Sequence, residues 1–242
     1  MGCAMIKAII FDLDNTLTDF VKVKENSIEA AIDAMIDAGM TLPRSEIRRK
    51  IFDIYEKKGI EHQRVFDHFL QQELGHIDHK KLAAAIVAYR RARDSALVLY
   101  PHVHMTLVEL VKRGIKLAVV TDAASLQAWL RLCYLQLHHV FDHVVTYEDT
   151  GEYKPNPAPF LRALSLLGVA PQETLMVGDW PERDMVGAGK LGITTVFARY
   201  GDTFETVHSG ADYEVTDIIQ LIGVVDKMND TSASAGPEEA NA

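Results

Sequence analysis

The chain has 242 residues, 48% of them hydrophobic and 24% charged, an ordinary balance for a globular protein with one large domain or one domain plus a small one. Acidic side chains number 34 against 25 basic ones, for a net charge of −9 with no basic block; this argues against a nucleic-acid binder and requires any anion site to be locally positive. No apolar run approaches the ~18 residues of a membrane span, the first residues lack the pattern of a secretory signal, and Cys3 and Cys133 make no disulfide framework, so a cytoplasmic protein is expected.

Ile6 to Phe11 is a short Ile-rich run of the kind a buried parallel strand requires, and it stops abruptly at the polar, turn-prone Asp12-Leu13-Asp14-Asn15-Thr16. From residue 24 to about 95 glycine is sparse and apolar side chains recur at helical spacing. The stripes Ile28/Ala31/Ile32/Met35/Ile36, Ile47/Ile51/Ile54/Tyr55, Val65/Phe66/Phe69/Leu70 and Leu82/Ala85/Ile86/Tyr89 predict four helices. After Pro101 the two periods alternate. Helices are expected at 105–112, 124–135, 157–167 and 182–190, strands at 115–120, 143–146, 174–177, 193–197 and 213–215, and a last helix to about 225. Such alternation implies right-handed crossovers and a mostly parallel sheet. The fold class expected is α/β: a Rossmann-like three-layer α/β/α core of residues 5–20 and 97–228, with a small all-helical unit of residues 21–96 inserted after the first strand. Residues 229–242 carry no large apolar side chain in this reading and are expected to be a disordered tail.

Open parallel sheets bind ligands beyond the carboxyl ends of their strands. The polar residues that follow the predicted strands are Asp12 and Asp14, then Thr121 and Asp122, then Glu148, Asp149 and Lys154, then Gly178 and Asp179 with Asp184 five residues on. Carboxylates gathered on one rim repel and raise each other's pKa. A hard divalent cation such as Mg²⁺ relieves that repulsion and favours a phosphate, whose charge Lys154 can share. The residues therefore point to a site for a metal and a phosphate.

Asp12-Leu13-Asp14-Asn15-Thr16 after an apolar strand resembles motif one of the haloacid dehalogenase-like hydrolase superfamily, and Val119-Val120-Thr121-Asp122 resembles motif two. Lys154-Pro155-Asn156-Pro157 is similar to motif three, and Gly178-Asp179-Trp180-Pro181-Glu182-Arg183-Asp184 to motif four. Singly each has an ordinary structural explanation, such as a capping turn or a helix start; the four in order, over about residues 5–225, do not. The helical insert falls between motifs one and two, where many members carry a cap, as in the phosphoglycolate phosphatase-like branch.

The resemblance implies a Mg²⁺-dependent phosphatase acting on small phosphate monoesters. Asp12 would attack phosphorus and form an aspartyl-phosphate. Asp14 would protonate the leaving alcohol and then activate water, while its backbone carbonyl faces the metal. Thr121 would hold a phosphoryl oxygen, helped by N–H groups near Leu13 and Asp122, and Lys154 would offset charge between nucleophile and phosphate. Asp179 would bind Mg²⁺; Asp184 would bind it directly or through water, or would orient Lys154. A departing halide needs no proton, so Asp14 argues against a dehalogenase. The cap would close over the site on hinges at 18–24 and 92–100, which favours a small phosphorylated metabolite as partner, with Arg44, Arg48, Arg64, Arg90 and Arg93 as candidate specificity residues. Neither nucleic acid nor membrane is expected as a partner, and the chain is expected to be a monomer or dimer. His102, His104, His138, His139 and His143 lack carboxylate or cysteine partners at ligand spacing and read as ordinary histidines. Two other readings stay open: a phosphomutase of the same fold, resembling β-phosphoglucomutase, and a non-catalytic module that binds a phosphorylated ligand. Against the second stands the presence of every motif residue.

Overall fold

The computed structural model describes residues 5–60 and 62–234; Cys3 and residues 235–242 lie outside them. The chain divides into two compact units, Met1–Asp19 with Val98–Ala242, and Phe20–Leu97. In the first unit, β1 (Ala8–Phe11), β2 (Lys116–Val120), β3 (His143–Val145), β4 (Thr174–Gly178), β5 (Thr194–Ala198) and β6 (Tyr213–Val215) form one sheet in the order β3-β2-β1-β4-β5-β6. Every neighbouring pair is parallel. β1 and β4 are buried along their whole length, which is why they read as unbroken apolar runs rather than alternating ones.

The strand order reverses between β1 and β4, and a crevice opens at such a switch point beyond the strand ends. Phe11 pairs with Val119 on one side and Val177 on the other, so Asp12 comes level with Val120 and Gly178. Alternate strand residues Ala8, Ile10, Ala118, Val120 and Met176 form one face of the core with Phe160, Ala163, Leu164 and Leu167 of α8 (Pro157–Leu167) and Ala188 of α9 (Val186–Gly189). α5 (Val103–Lys112) packs on β2, and α10 (Gln220–Ser234) packs on β6 and α5. α8 shows why such helices form where they do. Asn156 Oδ1 accepts from the Ala158 N–H at its start, Pro157 stands in the first turn, and Gly168 at φ 66° ends it in the left-handed region.

The second unit holds α1 (Phe20–Asp37), α2 (Arg44–Lys58), α3 (Val65–Leu74) and α4 (His79–Ala96). Its core is the set of apolar stripes read from the sequence, from Ile28 to Ala85, with Ile36, Leu82, Ile86 and Tyr89 packed at its margin. Asp78 caps α4 by accepting from the N–H groups of Lys80 and Lys81.

Two expectations are corrected. α10 continues to Ser234, past the boundary expected at 229. Its stripe runs on from Leu221 and Val225 to Met228, all buried, and Asn229 Oδ1 accepts from the Ile6 N–H at 2.7 Å. The helix expected at 182–190 is broken into a wide π-helical turn, Pro181–Met185, and the short α9. No described helix is long and apolar enough to cross a membrane.

Candidate active site

Asp12 leaves the end of β1 with its N–H donating to Val177 O, so it is still held to β4. The loop then turns through Asn15 at φ 58° and returns as Thr18, paired with Asp14. A side chain on Gly201 would place its Cβ 1.6 Å from Asn15 O, so glycine there lets the chain after β5 press against this loop. Tyr200 donates its O–H to Thr16 O at 2.8 Å and fixes the loop from the same side.

Three carboxylates from two motifs meet here. Asp12, Asp179 and Asp184 are all buried, and each presents an oxygen within 4.8 Å of the others. Among the described residues they are the one such group of three or more His, Cys, Asp or Glu side chains. Lys154 lies in the midst of them, its Nζ 2.5 Å from Asp12 Oδ1 and 2.7 Å from Asp184 Oδ1. Asp184 also accepts from the Trp180 N–H through Oδ2, at 3.1 Å, so both of its oxygens are engaged. Thr16 Oγ1 donates to Asp179 Oδ1 at 3.3 Å.

Burial is the main force that pushes the Asp12 carboxyl upward; Lys154 opposes it, and the neighbouring Asp184 and Asp14 add to it. Asp179 is pushed up as well, by burial first and then by Asp12 and Asp184. For Lys154, burial works against the ammonium, but Asp12, Asp184 and Asp122 outweigh it and hold its pKa above the usual lysine range. Three buried carboxylates around one buried ammonium leave an excess of negative charge. All-oxygen donors with that excess suit a hard divalent cation, so the residues present fit the ion that the clustering of acids implied.

Other motif residues are placed around this centre. Thr121, buried just past β2, accepts from the Ala123 N–H at 3.2 Å. Asp122 accepts from the Lys154 N–H through Oδ1 and from Arg183 Nη1 through Oδ2, each at 2.8 Å, and so ties the second motif to the third and fourth. The Arg183 guanidinium lies 3.8 Å over the Trp180 ring, and that ring packs on Phe204. The Asp14 side chain stays outside the carboxylate cluster and pairs with Arg131, Nε to Oδ1, at 3.3 Å.

Glu148 and Asp149, on the rim by sequence, are not in the cluster. Glu148 accepts from the Ser125 N–H at the start of α6 (Ser125–Tyr134), and Asp149 closes a capping box with Thr146. In the helical unit Arg44, Arg48, Arg64 and Arg93 pair with acids of that same unit: Glu29 and Asp33, Glu25 and Glu29, Asp67, and Asp94. His102 pairs with Asp217, and His138 packs on His139, away from any metal-ligand set.

The sequence gives Thr16 and Arg183 a place in motifs but no role, and does not single out Arg131 or Gly201. Arg131 had a signal: a charge on the helix face that buries Ala128 and Leu132. Gly201 had none, because its requirement comes from a loop that lies far away in sequence.

Comparison with known proteins places the chain in a family. Residues 9–198 match the family described as haloacid dehalogenase-like hydrolase. Glyceraldehyde 3-phosphate phosphatase of Methanopyrus kandleri is 38% identical over 215 residues, 88% of this chain and 92% of that protein. The protein of the same name from Methanocaldococcus jannaschii is 34% identical, over 93% of this chain and 99% of its own. A crystal structure of a HAD phosphatase from Thermococcus onnurineus superposes with a TM-score of 0.65 at 27% identity, over 91% of this chain and 98% of that one.

Proposed function

The chain belongs to the haloacid dehalogenase-like hydrolase family and is a phosphatase, and from that premise we propose that it hydrolyses small phosphate monoesters through an aspartyl-phosphate on Asp12, with Mg²⁺ as cofactor. The observation that carries the reading is the buried Lys154 shared between Asp12 and Asp184 at the switch point of the sheet. An ammonium at that place favours the carboxylate form of Asp12, the form that attacks phosphorus, against the burial that raises its pKa, and offers positive charge to the phosphate that approaches it.

Asp12 and Asp179, with the backbone carbonyl of Asp14, would hold the cation, and Asp184 would orient Lys154. When bound, Mg²⁺ supplies charge neutralisation for the transferring phosphoryl group. Asp12 forms a bond to phosphorus while the ester P–O bond breaks, and Asp14 gives its proton to the departing alkoxide. Water then attacks the aspartyl-phosphate, Asp14 takes the water's proton, and Asp12 is released with inorganic phosphate. Thr121 and the N–H groups near Leu13 and Asp122 hold the phosphoryl oxygens. The names of the archaeal relatives support water as acceptor, and they support a three-carbon ester such as glyceraldehyde 3-phosphate as substrate.

The test is release of inorganic phosphate from a panel of small esters by wild type and Asp12→Asn, with Mg²⁺ or with chelator. Turnover should require the metal and vanish in the variant. Turnover that survives Asp12→Asn would refute the mechanism.

A further inference from the structure

Of the cations gathered by the motifs, Arg183 is the one that faces solvent. The Lys154 side chain is 3% exposed and given to Asp12 and Asp184, whereas that of Arg183, on the turn Pro181–Met185, is 38% exposed. Its guanidinium is nevertheless fixed. Nη1 donates to Asp122 Oδ2 at 2.8 Å, and the other oxygen of Asp122 is bound by the Lys154 N–H. Its central carbon lies 3.8 Å from the centroid of the Trp180 ring, and that ring packs on Phe204. Phe204 is held in turn by Asp202, whose Oδ1 accepts from the Phe204 N–H at 2.9 Å. Among the described residues Arg183 makes no other hydrogen bond, so Nε and Nη2 are uncommitted. The place is informative too. Asp122 follows β2 and Trp180 follows β4, and β1 lies between those strands in the sheet. The contact from Asp122 through Arg183 to Trp180 therefore reaches from one side of β1 to the other, at the strand end from which Asp12 leaves.

We propose that Arg183 is a specificity-determining residue carried by the core: its Nε and Nη2 edge receives a carbonyl oxygen, and best a carboxylate, on the leaving alcohol of a phosphate ester held at Asp12. The inference rests on the phosphatase reading and adds to it a substrate class, the phosphorylated hydroxy aldehydes and hydroxy acids. The charge of the site calls for such a group. Lys154 is the cation that the ester phosphate meets, and any further acceptor on the same molecule would otherwise face the excess of carboxylates around it. A planar guanidinium fork matches two oxygens of one carboxylate, which a lysine does not. Because Asp122 and Trp180 already hold this fork, binding gives up little side-chain freedom. A purely structural arginine would spend its donors on the protein; this one spends a single nitrogen and keeps the rest of the fork for another partner.

The experiment compares three esters that share a three-carbon skeleton and a terminal phosphate and differ at the far carbon. Glycerol 3-phosphate ends in a hydroxymethyl group, glyceraldehyde 3-phosphate in an aldehyde and 3-phosphoglycerate in a carboxylate. Phosphate release is measured with Mg²⁺ for wild type, Arg183→Met and Arg183→Lys, and an ester that binds without turning over is read from its Ki against p-nitrophenyl phosphate. Each loss is divided by the loss on glycerol 3-phosphate, which removes the factor that freeing Asp122 imposes on all three. Arg183→Met should then lose about 10- to 10²-fold on the carboxylate, the worth of a charge-assisted bond, and a few fold on the aldehyde. Arg183→Lys, which keeps the charge without the fork, should fall between Arg183→Met and wild type. Equal losses on the three esters would make Arg183 a structural tie to Asp122 and overturn the proposal, as would a larger loss on a neutral ester than on the carboxylate. Wild type that turns over p-nitrophenyl phosphate but neither binds nor hydrolyses 3-phosphoglycerate would overturn it as well. If Arg183→Met does not fold, Arg183→Lys decides by the same ratios. Wild type that releases phosphate from none of these esters, p-nitrophenyl phosphate included, would instead remove the phosphatase reading, and this inference with it.

Discussion

Gly178 ends β4, and its missing side chain leaves the space that Asp184 occupies. A Cβ at Gly178 would stand 2.2 Å from Asp184 Oδ2, 2.4 Å from its Cγ and 2.7 Å from its Cβ. Non-bonded heavy atoms settle at about 3.5 Å or more, so the carboxyl has to retreat by roughly 1.3 Å. Its bonds of 2.7 Å to Lys154 Nζ and 3.1 Å to the Trp180 N–H then pass the useful limit of about 3.5 Å. Gly178 does not have a left-handed φ, so alanine adds no backbone strain and the perturbation is steric alone. Overpacking costs about 1–3 kcal/mol, and weakening charge-assisted bonds adds about 1.5–3 kcal/mol. Gly178→Ala should therefore destabilise the protein by about 2.5–6 kcal/mol in denaturant unfolding. Lys154, released on one side, should lose its place beside Asp12, with a fall in kcat of about 10²-fold. Gly189→Ala is the control, since a Cβ there meets nothing within 4 Å; in the helix it should be neutral or stabilising. A Gly178→Ala protein within about 0.5 kcal/mol of wild type and with unchanged kcat would refute the account of how Asp184 and Lys154 are held.

Lys154→Met leaves Asp12 and Asp184 buried without their common cation, and should cost about 3–5 kcal/mol near neutral pH, less in acid as the carboxyls protonate; a loss independent of pH in denaturant titrations would contradict the pairing. Asp12 and Asp179 have folded-state pKa values raised above those of the unfolded chain, so their contribution to stability is present below the ordinary carboxylate range and is lost as pH rises through the raised values. In chelator, Asp179→Asn should therefore gain thermal stability relative to wild type as pH rises over that window, and Mg²⁺ at about 100 times its Kd should return about 2.7 kcal/mol to wild type near neutrality; a difference between the two proteins that stays flat with pH would sink the argument. Asp122→Ala removes the acceptor of both the Lys154 N–H and Arg183, so about 1–3 kcal/mol of stability should go together with a lower kcat, and a variant with full kcat would show that this tie does not position Lys154.

The parts of the site that could be read in the sequence are those set by local chemistry. An apolar run that stops at Asp12, or at Thr121, or at Asp179 marks a strand end, and in a parallel sheet strand ends share one edge. What could not be read is how each acid is used. Glu148 and Asp149 follow β3 as Asp12 follows β1, yet they are spent on the Ser125 N–H and the Thr146 capping box. The four-residue span from Thr146 to Asp149 is itself a capping signature, and it would have set Asp149 apart. The broken helix after Pro181 follows from the same competition. Asp184 folds back to the Trp180 N–H and to Lys154, and the wide turn Pro181–Met185 accommodates it where a regular helix was expected. Arg131 was visible as a charge among apolar positions of α6, but its partner, Asp14, comes from a loop 117 residues earlier in the sequence, and only the fold joins them.

Four chemically identical side chains are thus given different work by their neighbours. Asp12 and Asp184 divide one ammonium, but Asp184 is also bound by the Trp180 N–H and has both oxygens committed. Asp12 keeps an oxygen outside that bond, as a nucleophile needs. Asp179 has the hydroxyl of Thr16, at 3.3 Å, and the charge of Lys154 to set against burial beside two other acids, and its pKa still ends raised, so it has much to gain from a cation. The Asp14 side chain stays outside the cluster, beside Arg131, and keeps part of its surface in contact with solvent, which a group that must exchange protons with an alcohol and then with water requires. Removing any one of these partners should change the role of one acid before it changes the fold.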